Sequence, residues 1–282
     1  MLKKPDWIKT TLLAGPKRKF VDNILKDAGL HTVCQEASCP NMCECYSKKT
    51  ATFLIMGNRC TRNCAFCNVH SGKPLAPDPA EPAKVADAIK KLGLKHAVIT
   101  SVTRDDLEDG GASCFAQTIT LVRKNTPGVI IEVLIPDFKG EEGALVSVLK
   151  AGPHVLNHNI ETILRLYPQV RPTADYGRSL KLLLRSKSLY PSVNTKSGLM
   201  VGMGESEEEV LETLGDLRMS GCDYLTIGQY LTPSREHYPV KEYVHPSIFE
   251  RYRKRGLEMG FKNVASAPLV RSSYQAEALF IE

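Results

Sequence analysis

The chain has 282 residues, 43 % hydrophobic and 24 % charged, with 37 lysines and arginines against 31 aspartates and glutamates, a formal charge of +6. That length and balance suit a folded chain with a large core and exclude a disordered one. The mild, scattered positive charge excludes nucleic acid as the expected partner, and suits an acidic protein partner or simple solubility.

Taken in order, residues 1–30 are a basic, mixed segment in which Lys17-Arg18-Lys19 reads as a solvated face. MLKKPDWIKT lacks the apolar stretch of a secretion signal, and no run of about 18 apolar residues follows, so neither export nor a membrane span is expected. Residues 20–29 read as a short helix ending at Gly29. Residues 31–51, poor in apolar side chains and carrying Cys34, Cys39, Cys43 and Cys45, read as a loop that a metal cluster would order.

From residue 52 strand-like and helix-like patterns alternate. Strands are expected at 52–57, 97–101, 129–135, 154–157, 193–201 and 223–229. Helices are expected at 83–93, 112–125, 141–150, 159–167, 177–189, 207–219 and 247–259. Ser206-x-x-Glu209 forms a capping box for the helix at 207, Pro246 introduces the last helix, and Ala265–Val270 is a short apolar end-piece. Continuous apolar strands separated by helices imply a parallel sheet covered on both faces. Polar residues follow each strand, so the active face is expected at the strands' C-terminal ends. Periodicity leaves a partial barrel and a doubly wound sheet equally open.

Nine cysteines are present, seven of them between 34 and 67. Without an export signal they point to metal ligation in a reducing compartment. Cys60, Cys64 and Cys67 follow the first strand as C-x3-C-x2-C. Three thiolates suit a [4Fe-4S] cluster whose fourth iron stays open to a ligand; a zinc knuckle completed by His70, or unrelated thiols, are the competing readings. Cys34-x4-Cys39-x5-Cys45, with Cys43 inside it, suggests a second cluster held by three or four thiols, since seven thiols exceed one cubane. Cys114 and Cys222 read as small buried apolar residues.

The triplet, with Phe66 before its last cysteine, resembles the radical S-adenosylmethionine superfamily. CQEASCPNMCEC (34–45), CTRNCAFC (60–67), SVTRDDLEDGGA (101–112), LNHNIET (156–162), KSGLMVGMGE (196–205), LTIGQYLTPS (225–234) and VRSSYQA (270–276) together resemble the lipoyl synthase family, over about residues 20–280. The resemblance implies an α/β fold, a partial TIM-type (β/α)6 barrel with an N-terminal cluster-binding extension. Its parts would be a 1–50 extension with the auxiliary ligands, a 51–245 barrel and a 246–282 helix and tail.

The resemblance further implies two [4Fe-4S] clusters and S-adenosyl-L-methionine. Cys60, Cys64 and Cys67 would hold the cluster that binds this cofactor. Cys34, Cys39 and Cys45 would hold the auxiliary cluster, with Ser273 as its fourth ligand. Phe66, Thr100, Arg104, Asp105, Gly110, Gly111, Asn157, Asn159, Glu161, Arg178 and Lys196 are the expected cofactor-binding residues. Gly110 and Gly111 read equally well as turn residues and Asn159 as a helix cap. Arg171, with Arg178 and Lys196, is a candidate for shaping the pocket or docking an acidic substrate, though each alone reads as surface charge. Cys43 is a thiol beyond the family pattern, Cys114-Phe115 stands where a histidine often precedes the phenylalanine, and Gln275 stands where the terminal motif usually has histidine.

The implied reaction inserts sulfur at C6 and C8 of a protein-bound octanoyl chain. Such carbons resist acid–base attack, so a radical made from S-adenosylmethionine takes the hydrogens and the auxiliary cluster supplies the sulfur. Implied partners are octanoylated lipoyl-carrier proteins (E2 lipoyl domains, the glycine cleavage H protein) and an electron donor such as ferredoxin or flavodoxin, in the cytoplasm. Another auxiliary-cluster sulfur-inserting radical enzyme and a non-enzymatic iron–sulfur electron carrier are the alternatives. A carrier would need neither an open iron nor a large cavity.

Overall fold

The computed structural model describes residues 2–9, 15–274 and 276–277, so Gln275 and residues 278–282 of the expected tail lie outside the described residues. The chain forms two compact units, the first comprising Thr10–Arg62 and Asn68–Leu156, the second Met1–Lys9, Asn63–Cys67 and Asn157–Glu282.

The first unit opens with α1 (Pro16–Ala28), which starts four residues before the expected 20 because Pro16 occupies the first turn, where a missing N–H costs nothing. It buries Val21 and Leu25 and ends at Gly29, whose left-handed φ of 63° returns its N–H to the Leu25 and Lys26 carbonyls. The stretch expected to be a loop at 31–51 instead holds β1 (His31–Thr32), α2 (Val33–Glu36) and α3 (Met42–Ser47). Local chemistry accounts for the difference. Thr32 caps α2 by accepting the Gln35 N–H, and its hydroxyl meets that of the wholly buried Tyr46 at 2.7 Å. Cys34, Asn41 and Cys43 are also buried, so the segment has a small core of its own.

β2 (Thr52–Ile55) is antiparallel to β1 and buried along its whole length. It stops two residues early, at Met56, whose φ is +65° and whose N–H bonds the buried Glu81 carboxylate at 2.7 Å. A short parallel pair follows, β3 (Arg59–Cys60) and β4 (His70–Ser71). Then come α4 (Glu81–Leu92), β5 (His96–Ser101), α5 (Ala112–Asn125), β6 (Ile130–Leu134), a 3-10 turn at Phe138–Gly140, α6 (Glu142–Lys150) and β7 (Val155–Asn157). β2, β5 and β6 are parallel neighbours, with Thr52 beside Val98 and His96 beside Ile130. Their buried apolar faces match the continuous hydrophobic runs in the sequence.

In the second unit, α7 (Tyr167–Val170), α8 (Tyr176–Leu189), β8 (Asn194–Val201), α9 (Glu207–Met219), β9 (Tyr224–Gln229), α10 (Pro246–Glu258) and β10 (Asn263–Ser266) follow in order. β8 and β9 are parallel, and β10 adds a parallel strand beyond β9 where an apolar end-piece was expected. The helix expected at 159–167 is not formed. Residues 158–161 run beside β8 instead: His158 N bonds Lys196 O, Glu161 N bonds Gly198 O, and Met200 N bonds Glu161 O. Main-chain groups committed to a neighbouring strand cannot close helical turns, and only a 3-10 turn (Leu164–Leu166) and the single-turn α7 come after. The Ser206–Glu209 capping box of α9 is present as expected.

Candidate functional site

In the first unit α2 carries Cys34, α3 carries Cys43 and Cys45, and Cys39 lies in the link, its N–H bonded to Cys34 O at 3.0 Å. Burial pushes the Cys34 thiol up to about 11, with Cys39 adding to the shift. Burial pushes Cys45 up to about 12, and Cys34 and Cys39 raise it further. Three thiols that act on one another in this way form one group. Cys43 faces elsewhere. Two residues apart on a helix lie about 200° apart around its axis, so Cys43 and Cys45 point to different sides. The Cys43 sulfur accepts from Arg18 Nη1 of α1 at 3.2 Å.

Among the described residues, no three His, Cys, Asp or Glu side chains converge as a single metal ion requires. A four-iron cluster asks for something different. Each thiolate takes its own iron, so a spread trio of soft ligands fits it.

Cys60 ends β3, and its sulfur accepts two peptide N–H groups, from Arg62 at 3.4 Å and Thr103 at 3.3 Å. These two main-chain donors hold the Cys60 sulfur in place. Arg62 is only 7 % exposed yet charged. Burial opposes the charge, but paired bonds to Asp105 (2.7 and 2.9 Å) and a 2.6 Å bond to Asp137 hold the guanidinium protonated. Asp105 therefore anchors Arg62 here. Arg104, also buried, makes a two-pronged pair with Asp106, and Thr100 donates to Leu134 O at 2.9 Å. Gly110 and Gly111 both have positive φ, and a Cβ on Gly111 would run into the Met56 side chain. That loop therefore needs glycine for its backbone and its packing, whatever else it does.

In the second unit, Asn63–Cys67 forms a turn in which Cys67 N bonds Cys64 O and Ala65 N bonds Val170 O; Phe66 is half-buried. After β7 a chain of polar side chains forms. Asn157 Nδ2 donates to Ser272 Oγ (2.8 Å), Ser272 donates to Asn159 Oδ1 (2.8 Å), and Asn159 Nδ2 donates to Glu161 Oε1 (3.0 Å). The structure thus brings Asn157, Asn159 and Glu161 together with the first serine of RSSY. The second serine, Ser273, is half-buried beside it. Burial raises the Glu161 carboxyl, against the pull of Arg171 and Asn159.

Arg171 is the residue whose importance the sequence left open. Its Nη1 bonds Asn159 O, Ile160 O and the Tyr167 hydroxyl at 3.0–3.2 Å, while its Nε is buried with no partner among the described residues. Burial works against its charge, but Tyr167, Glu161 and Cys64 hold it protonated. A buried donor left over beside the Glu161 carboxylate and Cys64 is what an anionic ligand would complete. The only trace in the sequence is its place shortly after LNHNIET. Lys196 is buried in β8; Arg178 is half-buried on α8, its main-chain N–H capped by Asp175. His237, outside the expected set, reaches the Cys67 carbonyl.

Residues 54–217 match the Radical SAM superfamily. A lipoyl synthase from Caldicellulosiruptor saccharolyticus is 58 % identical over 275 residues, covering 98 % of this chain and 96 % of the relative. One from Alkaliphilus metalliredigens is 55 % identical over 278 residues, with the same coverage of 98 % and 96 %. Among solved structures, Streptococcus suis SuiB bound to S-adenosylmethionine aligns with a TM-score of 0.61 at 11 % identity, over 80 % of this chain and 53 % of that one. Methylornithine synthase aligns at 0.53 and 14 % identity, over 90 % and 80 %. These two likenesses establish the alternating α/β fold of the partial (β/α)6 barrel enzymes. The chain belongs to the radical SAM superfamily and, within it, to the lipoyl synthase family.

Proposed function

We propose that the chain inserts two sulfur atoms, at C6 and C8, into an octanoyl group carried on a lysine of a lipoyl-carrier protein. It is an enzyme of lipoate synthesis, a sulfurtransferase that uses S-adenosylmethionine and iron–sulfur chemistry. The observation that carries the reading is near-full-length identity to lipoyl synthases, in a chain whose cysteines form the two triplets that chemistry needs.

In this reading Cys60, Cys64 and Cys67 hold the [4Fe-4S] cluster that meets S-adenosylmethionine, and Cys34, Cys39, Cys45 and Ser273 hold the auxiliary one. When bound, these groups supply one-electron cleavage of the sulfonium to a carbon radical, and sulfide for the new carbon–sulfur bonds. The protein's own part is to bind, orient and exclude water. Arg171, with a buried N–H to give, suits the carboxylate of S-adenosylmethionine, and Glu161 and Asn159 suit its ammonium or ribose. Peptide N–H groups of Arg62 and Thr103 orient the Cys60 sulfur. Ser272 is bonded to Asn157 and Asn159; Ser273, the second serine of RSSY, is the one proposed for iron. Thr100, Arg104, Asp105, Gly110 and Gly111 of the first unit, and Phe66, Arg178 and Lys196 of the second, are the remaining residues proposed for cofactor binding.

Among the described residues no helix is long and apolar enough to cross a membrane; the proposed setting is the cytoplasm. Octanoylated E2 lipoyl domains or H protein, and a ferredoxin- or flavodoxin-type reductant, are the proposed partners.

The test is anaerobic reconstitution, followed by iron and sulfide counting and mass spectrometry of an octanoyl-lysine peptide after addition of S-adenosylmethionine and reductant. About eight irons per chain are expected, with a mass gain of two sulfurs replacing two hydrogens. Cys60→Ala should abolish 5′-deoxyadenosine. Cys39→Ala should retain it and make no thiolated product; normal product from that variant would refute the division of labour.

A further inference from the structure

The turn Asn63–Cys67 is held within the second unit by three tethers, and two come from one place. Ala65 N bonds Val170 O (2.9 Å), Tyr238 N bonds Ala65 O (2.8 Å), and His237 Nε2 meets Cys67 O at 3.1 Å. His237 and Tyr238 lie in the irregular stretch between β9 and α10, which is itself tied down. The Tyr230 hydroxyl donates to Tyr238 O at 2.7 Å, and the Tyr238 hydroxyl donates to Gln169 at 3.3 Å. Behind the imidazole, Ser234 Oγ accepts the Glu236 N–H (3.2 Å) and stands 2.8 Å from His237 Nδ1. A carbonyl can only accept, so Nε2 must carry a proton. Ser234 Oγ at Nδ1 holds the other side of the ring, so the imidazole keeps one orientation.

We propose that His237 is a positioning residue for the triplet: its Nε2–H, set by Ser234, locks the Cys67 peptide and thereby the direction in which the Cys67 sulfur is presented. The proposal rests on the reading of Cys60, Cys64 and Cys67 as cluster ligands and extends it to a residue that touches no reacting atom. Outer contacts that orient a ligand govern how firmly a metal centre is held and at what potential it works. A bond to the main chain of a ligand does this without competing for its sulfur.

The full-length, anaerobically loaded protein is compared as wild type, His237→Phe and His237→Gln. Phenylalanine keeps ring bulk and loses the donor, while glutamine's amide reaches the position of Nε2 and keeps a donor. The readouts are the midpoint potential of the paramagnetic resonance signal that changes on adding S-adenosylmethionine, and the rate at which a chelator erases that signal. His237→Phe is expected to lose it about ten-fold faster at a displaced potential, and His237→Gln to stay near wild type. A phenylalanine variant identical to wild type, or a folded glutamine variant as damaged as the phenylalanine one, overturns the proposal. Should His237→Phe not fold, Ser234→Ala replaces it: a displaced potential supports the proposal and an unchanged one overturns it. A wild-type protein with no signal responsive to S-adenosylmethionine overturns the functional reading, and the proposal with it.

Discussion

Cys43 and Cys45 stand two residues apart on α3 and have different surroundings. Cys45 shares its electrostatics with Cys34 and Cys39, whereas the Cys43 sulfur meets Arg18. Cys43→Ser should therefore keep the full iron count after reconstitution, while Cys45→Ser should lose about half of it; iron and sulfide analysis decides. The thiols also make a pH prediction. In the cluster-free chain, burial holds Cys34 near 11 and Cys45 near 12, above their ordinary 9.0. A raised thiol stabilises the folded chain below pH 9.0, and that contribution is lost as the pH climbs through those values. Both thiols are thus protonated at neutral pH, and alkylation should be slow there compared with an unfolded control and accelerate above pH 9.0. At Arg171, removing the charge with glutamine should weaken S-adenosylmethionine binding by about ten-fold or more, the scale of a lost charge-assisted bond of about 1.5–3 kcal/mol. Equilibrium dialysis of the loaded protein measures it, and unchanged affinity would exclude the role.

Elements place these residues, and two of them are open to direct test. The reciprocal bonds of Ser206 and Glu209 close the first turn of α9, so Ser206→Ala should cost about 1 kcal/mol in a denaturant melt. Gly228 of β9 lies where Val270 O crosses so closely that no Cβ fits. Gly228→Ala should push back the segment that leads into Arg271-Ser272-Ser273, destabilise the fold by about 1–3 kcal/mol, and lower auxiliary iron more than the other cluster. A variant with wild-type stability would show that the crossing can relax. Periodicity located most helices and strands because burying one stripe, or both faces of a strand, leaves a regular trace. It failed at 159–167, where apolar spacing looked helical but main-chain groups pair with β8. It failed again at 31–51, where a capping threonine and one buried tyrosine make structure from few apolar residues.

For the molecule as a whole, the net charge of +6 is the property open to bulk measurement. If the carrier protein is acidic, long-range attraction should speed encounter at low salt and fade once the Debye length falls to about 3 Å at 1 M. The KM for a carrier domain should then rise with ionic strength while the KM for a short octanoyl peptide hardly moves. Equal responses would place the salt effect on the enzyme itself.

The order of most strands and helices, the polar residues that follow each strand, and the two groups of thiols were written in the chain. Each depends on neighbours in sequence, whether a repeat of apolar positions or a spacing of soft ligands. What the sequence could not determine depends on residues far apart. Cys43 turns away from its neighbours toward Arg18, Asn159 joins Ser272 across more than a hundred residues, and half-buried Arg171 keeps one buried donor, its Nε, to spare. Whether a charged or polar side chain is surface decoration or part of a site is settled by burial and by what faces it, and only the folded chain supplies both.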